Sequence, residues 1–523
     1  MMSEHDALPT VPAPDQVRAA LERIVTSDVF RSSPQLASFL SFVVEAVLHG
    51  KGERIKGYTI AVEVLRRDPK FDPQLDPIVR VEATRLRRAL ERYYAGPGAD
   101  APVIIGLARG TYVPTFSYRN AMQRVDTSEF RLGNGMPTLL LRPLEILQTN
   151  NAPALSIDVL YDKLCDAFAR FDTINIVTAP GHSPESPSHD YELGGSIETS
   201  DDRVTTVRFR LTDSADKNII WSRAFERPMT HGGSAAAENK IITELAAILL
   251  QPFGVIRAHE RVRHLASNVG DPRYRCIVES SESFRSFEPA QHLHARASLE
   301  RLTAADPSFA IGFAYLAAIY FREYQYGYSG RPSDRTILDR ALEMARRSIE
   351  LRPESSRAYQ ILFGVLFTRG EIPGAFAAGD KARALNPYDM TIISDYGGRL
   401  VMIGEIERGM AMLTRAAEFG TVRPSWHHFY LFLGSYLLGD LANTVHHANQ
   451  IVGDNYALGL IARALAASAS GEPGRAAPAL NRLAAINPAW KLNLRGELDR
   501  LIPVAALADR ITTDLGRVAR ATI

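Results

Sequence analysis

Helical segments in the second half of this chain end repeatedly at a polar residue followed by proline. The pairs are Asp306-Pro307, Arg352-Pro353, Asn386-Pro387 and Asn487-Pro488. A proline inside a helix loses a hydrogen bond and clashes with the preceding turn, so each pair marks a boundary. Pro353 to Pro387 is 34 residues, Pro387 to Pro424 is 37, and Pro424 to Pro488 is 64, close to two further periods. Pro307 to Pro353 is 46 residues, which implies an insertion of about 12, placed in REYQYGYSGRPSD at 322–334. Tyr359, Leu362, Ala375 and Ala382 fill alternating large and small positions in the repeat that ends at Pro387. A lone pair of such helices leaves its apolar face wet, so successive copies must stack.

A 34-residue period of paired helices is that of a tetratricopeptide repeat. The whole chain has 523 residues, enough for two to four domains at roughly 100–200 residues each. Its 46% hydrophobic and 23% charged residues exclude a disordered or collagen-like chain. The net charge of +1 excludes a uniformly basic coat for nucleic acid, so any polyanion site must be local. Two cysteines, Cys165 and Cys276, cannot build a disulfide framework and point to a reducing compartment. The first residues, MMSEHDALPTVPAPD, carry no secretory pattern. The longest apolar stretch, Leu36 to Leu48, falls short of the roughly 20 residues that span a bilayer and contains Glu45. The expectation is a cytoplasmic protein with no membrane contact.

Residues 1–13 read as a flexible lead-in. From 14 to 118, Val17–Val25, Leu36–Leu48 and Thr59–Arg67 read as helices, followed by DPIVRVEATRLRRALERYY. Asp76 suits an N-cap and Pro77 the first helical position. PVIIGLARGTYVPTF then reads as two strands around Arg109-Gly110. Three helices and a closing hairpin is the order of a winged helix. Residues 119–136 are a polar linker. Residues 137–258 mix strands (PTLLLRPL, INIVTAP and three within YELGGSIETSDDRVTTVRFRLTDSADKNIIWSRAFER) with helices at Ile157–Phe171 and Ala235–Leu250, a small α/β sandwich. Residues 259–288 are a connecting helical segment, 289–490 the repeats and 491–523 a helical cap. The expected fold is therefore multidomain α+β: winged helix, small α/β sandwich, then an all-α solenoid.

The arginine-rich helix carries the sharpest functional signal. At about 100° per residue, Val79, Ala83, Leu86, Leu90 and Tyr93 share one face, which must be the core side. Arg80, Thr84, Arg87, Arg88 and Glu91 fall on the adjoining exposed face, with Arg85 and Arg92 at its other edge. Pro77 to Arg92 holds five Arg against two Glu. Asp15–Tyr118 sums to +3 and the rest of the chain to −2. The planar guanidinium fork suits bidentate contacts to guanine or phosphate, and a helix fits the major groove. Arg80, Thr84, Arg87 and Arg88 are assigned to the groove. Arg85, Arg92 and Arg109 are assigned to phosphate, with Lys56 and Tyr58 as further backbone contacts. The competing reading is an amphipathic helix with a solvated basic face; the hairpin that follows it weighs against that.

The stretch from Phe39 to Phe116 resembles a bacterial N-terminal domain related to OmpR-type winged helices. The residues that carry the resemblance are Lys56–Tyr58, Ile60–Val64, Phe71–Pro73, Asp76–Arg87 and Gly110–Phe116. Ala108-Arg109 departs from that pattern, which more often has Pro-Lys there. The middle region resembles a small α/β domain related to the N-terminal part of TolB. Leu193, Gly195, Ser196, Arg203, Val204, Leu211, Asp213, Trp221, Phe225 and Arg227 carry that likeness; its opening, Leu-Arg-Pro, departs. Together with the repeats, the layout is similar to HilA-like and CadC-type regulators, of the soluble kind. The resemblance implies a transcriptional regulator that binds double-stranded DNA and meets a protein partner or a second copy of itself through the repeats.

Other constellations are weak. His427-His428 and His446-His447 are consecutive pairs without a carboxylate partner and read as polar packing; His292 and His294 point away from each other. Gly194-Gly195 and Gly232-Gly233-Ser234 lack a strand–loop–helix context for phosphate. Cys165 reads as a buried inert thiol. Tyr320, Phe321, Tyr324, Tyr326 and Tyr328 read as core and insertion packing, with a peptide site as the lesser reading. No metal, cofactor or catalytic residue is expected. The rival to the regulator is an interaction scaffold, related to nucleotide-cyclase architectures without the cyclase domain, in which the winged helix binds protein. No unassigned block is large enough for a cyclase domain, so the chain is not expected to be an enzyme.

Overall fold

The computed structural model describes residues 12–31, 33–52, 55–68, 78–95, 97–98, 101–107, 112–118, 135–149, 157–178, 188–199, 204–228, 234–266, 271–328, 335–419 and 423–522. The chain divides into two compact units, residues 1–132 with 265–269, and residues 133–264 with 270–523. Among the described residues no helix is long and apolar enough to cross a membrane.

The first unit runs α1 (Pro14–Val25), α2 (Asp28–Arg31), α3 (Pro34–Leu48), α4 (Gly57–Thr59, continuing as a π-turn over Ile60–Val64), α5 (Ile78–Ala95), β1 (Val103–Leu107) and β2 (Pro114–Tyr118). Prolines at Pro14 and Pro34 open α1 and α3, where a missing N–H costs nothing. The expected third helix over Thr59–Arg67 is shorter, and its π-turn widens the backbone before Leu65. Strands β1 and β2 pair antiparallel from Val103↔Tyr118 to Leu107↔Pro114. Phe30, Phe39, Leu40, Val43 and Ile60 are fully buried at the centre, against Val79, Ala83, Leu86, Leu90 and Tyr93 of α5. That is the core face expected for α5. The expected cap Asp76 and Pro77 lie outside the described residues.

The second unit begins with a six-stranded mixed sheet. β3 (Thr138–Leu141), β4 (Glu145–Thr149), β5 (Asn175–Thr178), β6 (Tyr191–Thr199), β7 (Val204–Asp213) and β8 (Ile219–Pro228) take the order β5-β3-β6-β7-β8. β3 and β4 lie one after the other along the same strand, parallel to it at Leu139↔Tyr191 and Glu145↔Ser196. Along β7, Val207, Phe209 and Leu211 are buried and Arg208 and Arg210 exposed, so only one face is covered. The cover is α6 (Ile157–Phe168) and α7 (Ser234–Leu249), through Leu160, Leu164, Ile241 and Leu245. Gly195 lies under this layer: a Cβ there would sit 2.6 Å from the Arg208 carbonyl oxygen and 2.7 Å from Leu144. β4 lies where the sequence pattern predicts no strand.

After α8 (Val255–Ala266), helices pair as hairpins. They are α9 (Pro272–Ser286) with α10 (Pro289–Ala305), α11 (Ala310–Tyr326) with α12 (Arg335–Leu351), α13 (Ser356–Thr368) with α14 (Ile372–Leu385), α15 (Met390–Met402) with α16 (Ile406–Ala417), α17 (Ser425–Leu438) with α18 (Leu441–Gln450), and α19 (Ala457–Ala469) with a short 3₁₀ turn and α20 (Ala477–Ile486). Thus α9, within the expected connector, opens the first hairpin. The helices α21 (Ala489–Leu492), α22 (Leu494–Leu501) and α23 (Ala505–Thr522) follow.

Each first helix of a hairpin gives way to a left-handed residue: Phe287, Gly327, Gly370, Gly404, Gly439 and Gly471, all with φ between 56° and 94°. Glycine takes that conformation freely. Phe287 does not, and its place has a packing cause. Its ring stacks on Tyr456 at 4.6 Å, while Asn455 Nδ2 donates to Glu288 Oε1 at 2.6 Å. The ring stack and the hydrogen bond join the turn of the first hairpin to the loop before α19, so the stack closes on itself.

Candidate DNA-contact helix and the cavity within the repeats

Helix α5 is fastened to the hairpin beside it at two points. The Arg87 Nε–H donates to the Leu107 carbonyl at 3.0 Å, and the Ile105 N–H donates to the Tyr94 hydroxyl at 2.7 Å. Arg87 is half-buried, so part of its guanidinium holds the helix to β1. Arg85 is exposed and its Nη1 lies 2.9 Å from Oε1 of Glu82, a carboxylate that is itself buried. Lys56 and Tyr58 are exposed at the start of α4. Arg80, Thr84, Arg88 and Arg92 lie on α5 by their backbone, and their side chains, like Arg109 as a whole, lie outside the described residues. The helix thus brings Arg80, Thr84, Arg85, Arg87, Arg88 and Arg92 onto one rigid rod, with Lys56 and Tyr58 on another element of the same unit.

The second site was not read from the sequence. The first helices of successive hairpins enclose a cavity of about 190 Å³. Phe284, Tyr315, Phe321, Tyr326, Trp426 and Tyr430 give its aromatic wall, and Arg322, Arg357, Arg399 and Asp395 its charge. Phe321 belongs to the core and Tyr326 packs against it, as expected, and both also line the cavity. Tyr320 is core as expected, and Tyr328 lies against His292 with ring centres 4.4 Å apart. The arginines come from three helices, 35 and 42 residues apart along the chain, and only stacking makes them neighbours.

Each guanidinium has a different setting. Arg357 pairs with Asp389 at 2.9 Å and reaches the Thr391 hydroxyl at 3.4 Å. Arg399 pairs with Asp395, lies over Phe363 at 4.7 Å and is 6% exposed. Its Nε has no hydrogen-bond partner. Among the described residues, Arg322 reaches the Tyr326 hydroxyl, at 3.3 Å, and the faces of Phe284, Phe287 and Tyr326, at 5.7–5.9 Å. The hydroxyls of Tyr326, Tyr328, Tyr456 and Tyr430 surround it.

Of the two histidine pairs, His427 and His428 are buried, His447 is half-buried and His446 is exposed. His427 Nδ1 lies 3.0 Å from the Ser394 hydroxyl, and His428 stands 5.7 Å from His447, ring centre to ring centre. His292 is buried while His294 reaches the surface near Glu279. Among the described residues no group of His, Cys, Asp and Glu is placed to hold a metal ion. Burial, then nearby arginines or histidines, pushes His292 and His427 down to about 3 and His428 and His447 to about 4. The unfolded chain takes up these protons near pH 6.5 and the native chain does not. Stability present above pH 6.5 is therefore lost as pH falls toward 4, by about 1.4 kcal/mol per unit for each well-buried ring. Urea unfolding at pH 7.5, 6 and 5 should show that decline, and His427→Gln should make it shallower; a midpoint that is flat over this range would contradict it. Cys276 is buried and burial raises its thiol above the ordinary range. Cys165 is only half-buried, beside Tyr161, rather than fully buried as expected.

Neither a family model nor a curated protein matches this chain. Among solved structures it is similar to PilW, a widely conserved type IV pilus biogenesis factor, at 20% identity and a TM-score of 0.28, over 41% of this chain and 94% of that one. It is similar to pilF of Pseudomonas aeruginosa at 15% identity and a TM-score of 0.30, over 42% and 92%. It is also similar to YrrB, a TPR protein with an unusual peptide-binding site, at 16% identity and a TM-score of 0.24, over 38% and 97%. At those scores the likenesses carry no functional inference, and the repeats stand on their own hairpins.

Proposed function

We propose that this chain is a sequence-specific DNA-binding transcriptional regulator. Its first unit acts as a winged helix, and its helical repeats receive a protein partner or a second copy of the chain. The observation that carries the reading is the fastening of the arginine-rich α5 to β1 through Arg87 and Tyr94. A helix held by its own hairpin can present side chains to a groove at a fixed angle, which is what base readout requires. Arg88 is assigned to the major groove and Arg85, exposed on the same helix, to phosphate, with Lys56 and Tyr58 as further backbone contacts. Arg87 has two jobs, fixing the helix and reaching toward DNA. On this reading no residue has a catalytic role and no cofactor is needed.

Capture of sheared genomic DNA from the source organism by the full chain tests the reading. The expected result is a small set of enriched fragments that share a motif. Recovery no better than that of bare resin would sink it and favour the second reading, a scaffold in which the arginine face meets acidic protein. What supports that alternative is the stack of helical hairpins, a surface suited to protein contact.

A further inference from the structure

We propose that the cavity within the hairpins is a binding site for a small aromatic monoanion, its carboxylate held between Arg322 and Arg399 and its ring among Tyr326, Tyr430 and Trp426. The site is independent of DNA binding.

The charge balance of the wall comes first. Three guanidiniums face the cavity, and two carboxylates answer them, Asp389 to Arg357 and Asp395 to Arg399. Glu323, next to Arg322 in sequence, is turned to Arg296 at 2.8 Å. Among the described residues, the positive charge at Arg322 therefore has aromatic and hydroxyl neighbours and no carboxylate paired with it. Arg322 is half-buried, and a partly desolvated cation without an anion gains from a ligand carboxylate. Arg399 adds a second donor group. Its Nε is sealed off, while its Nη2 lies beside the cavity-lining Gly364, where a Cβ would be only 2.9 Å away. Glycine at 364 is what lets the guanidinium lie against α13. Arg322 and Arg399 also repel one another across the cavity, and Tyr430 is within the field of both. An anion between them turns that repulsion into two charge-assisted bonds.

Size and closure set the ligand class. A cavity of about 190 Å³ is smaller than the roughly 300 Å³ at the low end of drug-sized pockets, so the occupant has one or two rings. The Phe287–Tyr456 stack and the Asn455–Glu288 bond bridge the first and later hairpins, and Leu501 of α22 joins the wall.

The test uses the full chain and three probes of one shape: 1-naphthoate, the neutral 1-naphthamide and the cationic 1-naphthylmethylammonium. Calorimetry and the fluorescence of Trp426 read the binding. One 1-naphthoate should bind per chain, about 30-fold tighter than the amide, with the cation weaker still. Arg322→Met should lose at least about tenfold for the acid and little for the amide. Absence of saturable 1-naphthoate binding, or equal affinity for acid and amide, overturns the proposal. So does an Arg322→Met chain that folds and binds the acid unchanged. The comparison of acid with amide needs only the native chain, so it decides even where the variant fails to fold.

Discussion

Asp172→Ala should lower the unfolding temperature of the second unit by several degrees, for a loss of about 3 kcal/mol. Asp172 lies in the loop after α6, in the sheet region, yet its partners belong to the repeats. Its carboxylate accepts from the Ser355 hydroxyl and from the Arg357 N–H, each at 3.0 Å, and stands 3.6 Å from Arg352. Ser355 in turn accepts from the Ala358 N–H as the N-cap of α13. The sheet region therefore supplies a second cap, with a negative charge at the positive end of a helix. Arg170 donates to the Leu385 carbonyl at 3.0 Å and Asn386 donates to the Arg170 carbonyl at 3.1 Å, so the same loop grips the end of α14. Removing the carboxylate leaves a buried N–H and a hydroxyl short of partners and takes from Arg352 one of its two anions, the other being Glu354 at 3.5 Å. Asp172→Asn keeps one acceptor and should cost about half as much. Scanning calorimetry would check both, and the transition of the second unit should broaden or split in Asp172→Ala as sheet and repeats uncouple. A shift smaller than that of an ordinary surface substitution would contradict the capping role.

Gly409→Ala should destabilise the repeats by about 2 kcal/mol, although alanine is the better helix former by about 1 kcal/mol. The sign is the test. A Cβ at Gly409 would sit 2.6 Å from the Gly397 carbonyl oxygen and 2.9 Å from the Val401 nitrogen; one at Gly397 would sit 2.9 Å from the Gly409 oxygen. The backbones of α15 and α16 touch there, and no side chain can swing away. The two helices must separate by several tenths of an ångström, opening gaps beside the buried Leu400, Val401 and Leu413. Gly409→Val adds two methyl groups and should cost about twice as much. Urea unfolding would read both variants; a gain in stability for Gly409→Ala would show that the helices have room and that the close approach is not structural.

What the sequence makes legible is what period and punctuation control. Proline pairs mark the hairpins from Pro307 to Pro488, and the left-handed glycines from Gly327 to Gly471 mark them again from inside. The core face of α5 follows from a 3.6-residue period, and β6 to β8 follow from alternation and polar turns. β4 escapes notice because it is a short parallel strand at the edge, where Ile146 and Leu147 are both exposed and no alternation survives. The left-handed Phe287 escapes because its cause, Tyr456, is far along the chain. The same reason hides the cavity. Arg322, Arg357 and Arg399 are unremarkable on their own helices, and only the stacking of hairpins gathers them. Arg87 shows the converse: its helical face predicts an outward arginine, and a strand carbonyl that no helical wheel contains takes one of its nitrogens.

The salt dependence of DNA binding is the sharpest test of the role proposed for α5. Anisotropy of a labelled duplex of about 30 base pairs would be followed from 50 to 200 mM salt for the full chain and for an Arg85→Ala, Arg88→Ala double variant. The native chain should bind at low salt with an affinity that falls steeply as salt rises. The double variant should show a slope shallower by about one, for the phosphate that Arg85 no longer neutralises, and a weaker affinity from the loss of Arg88 in the groove. No binding at the lowest salt, or a double variant with the native affinity and slope, would contradict a DNA-binding role for this helix.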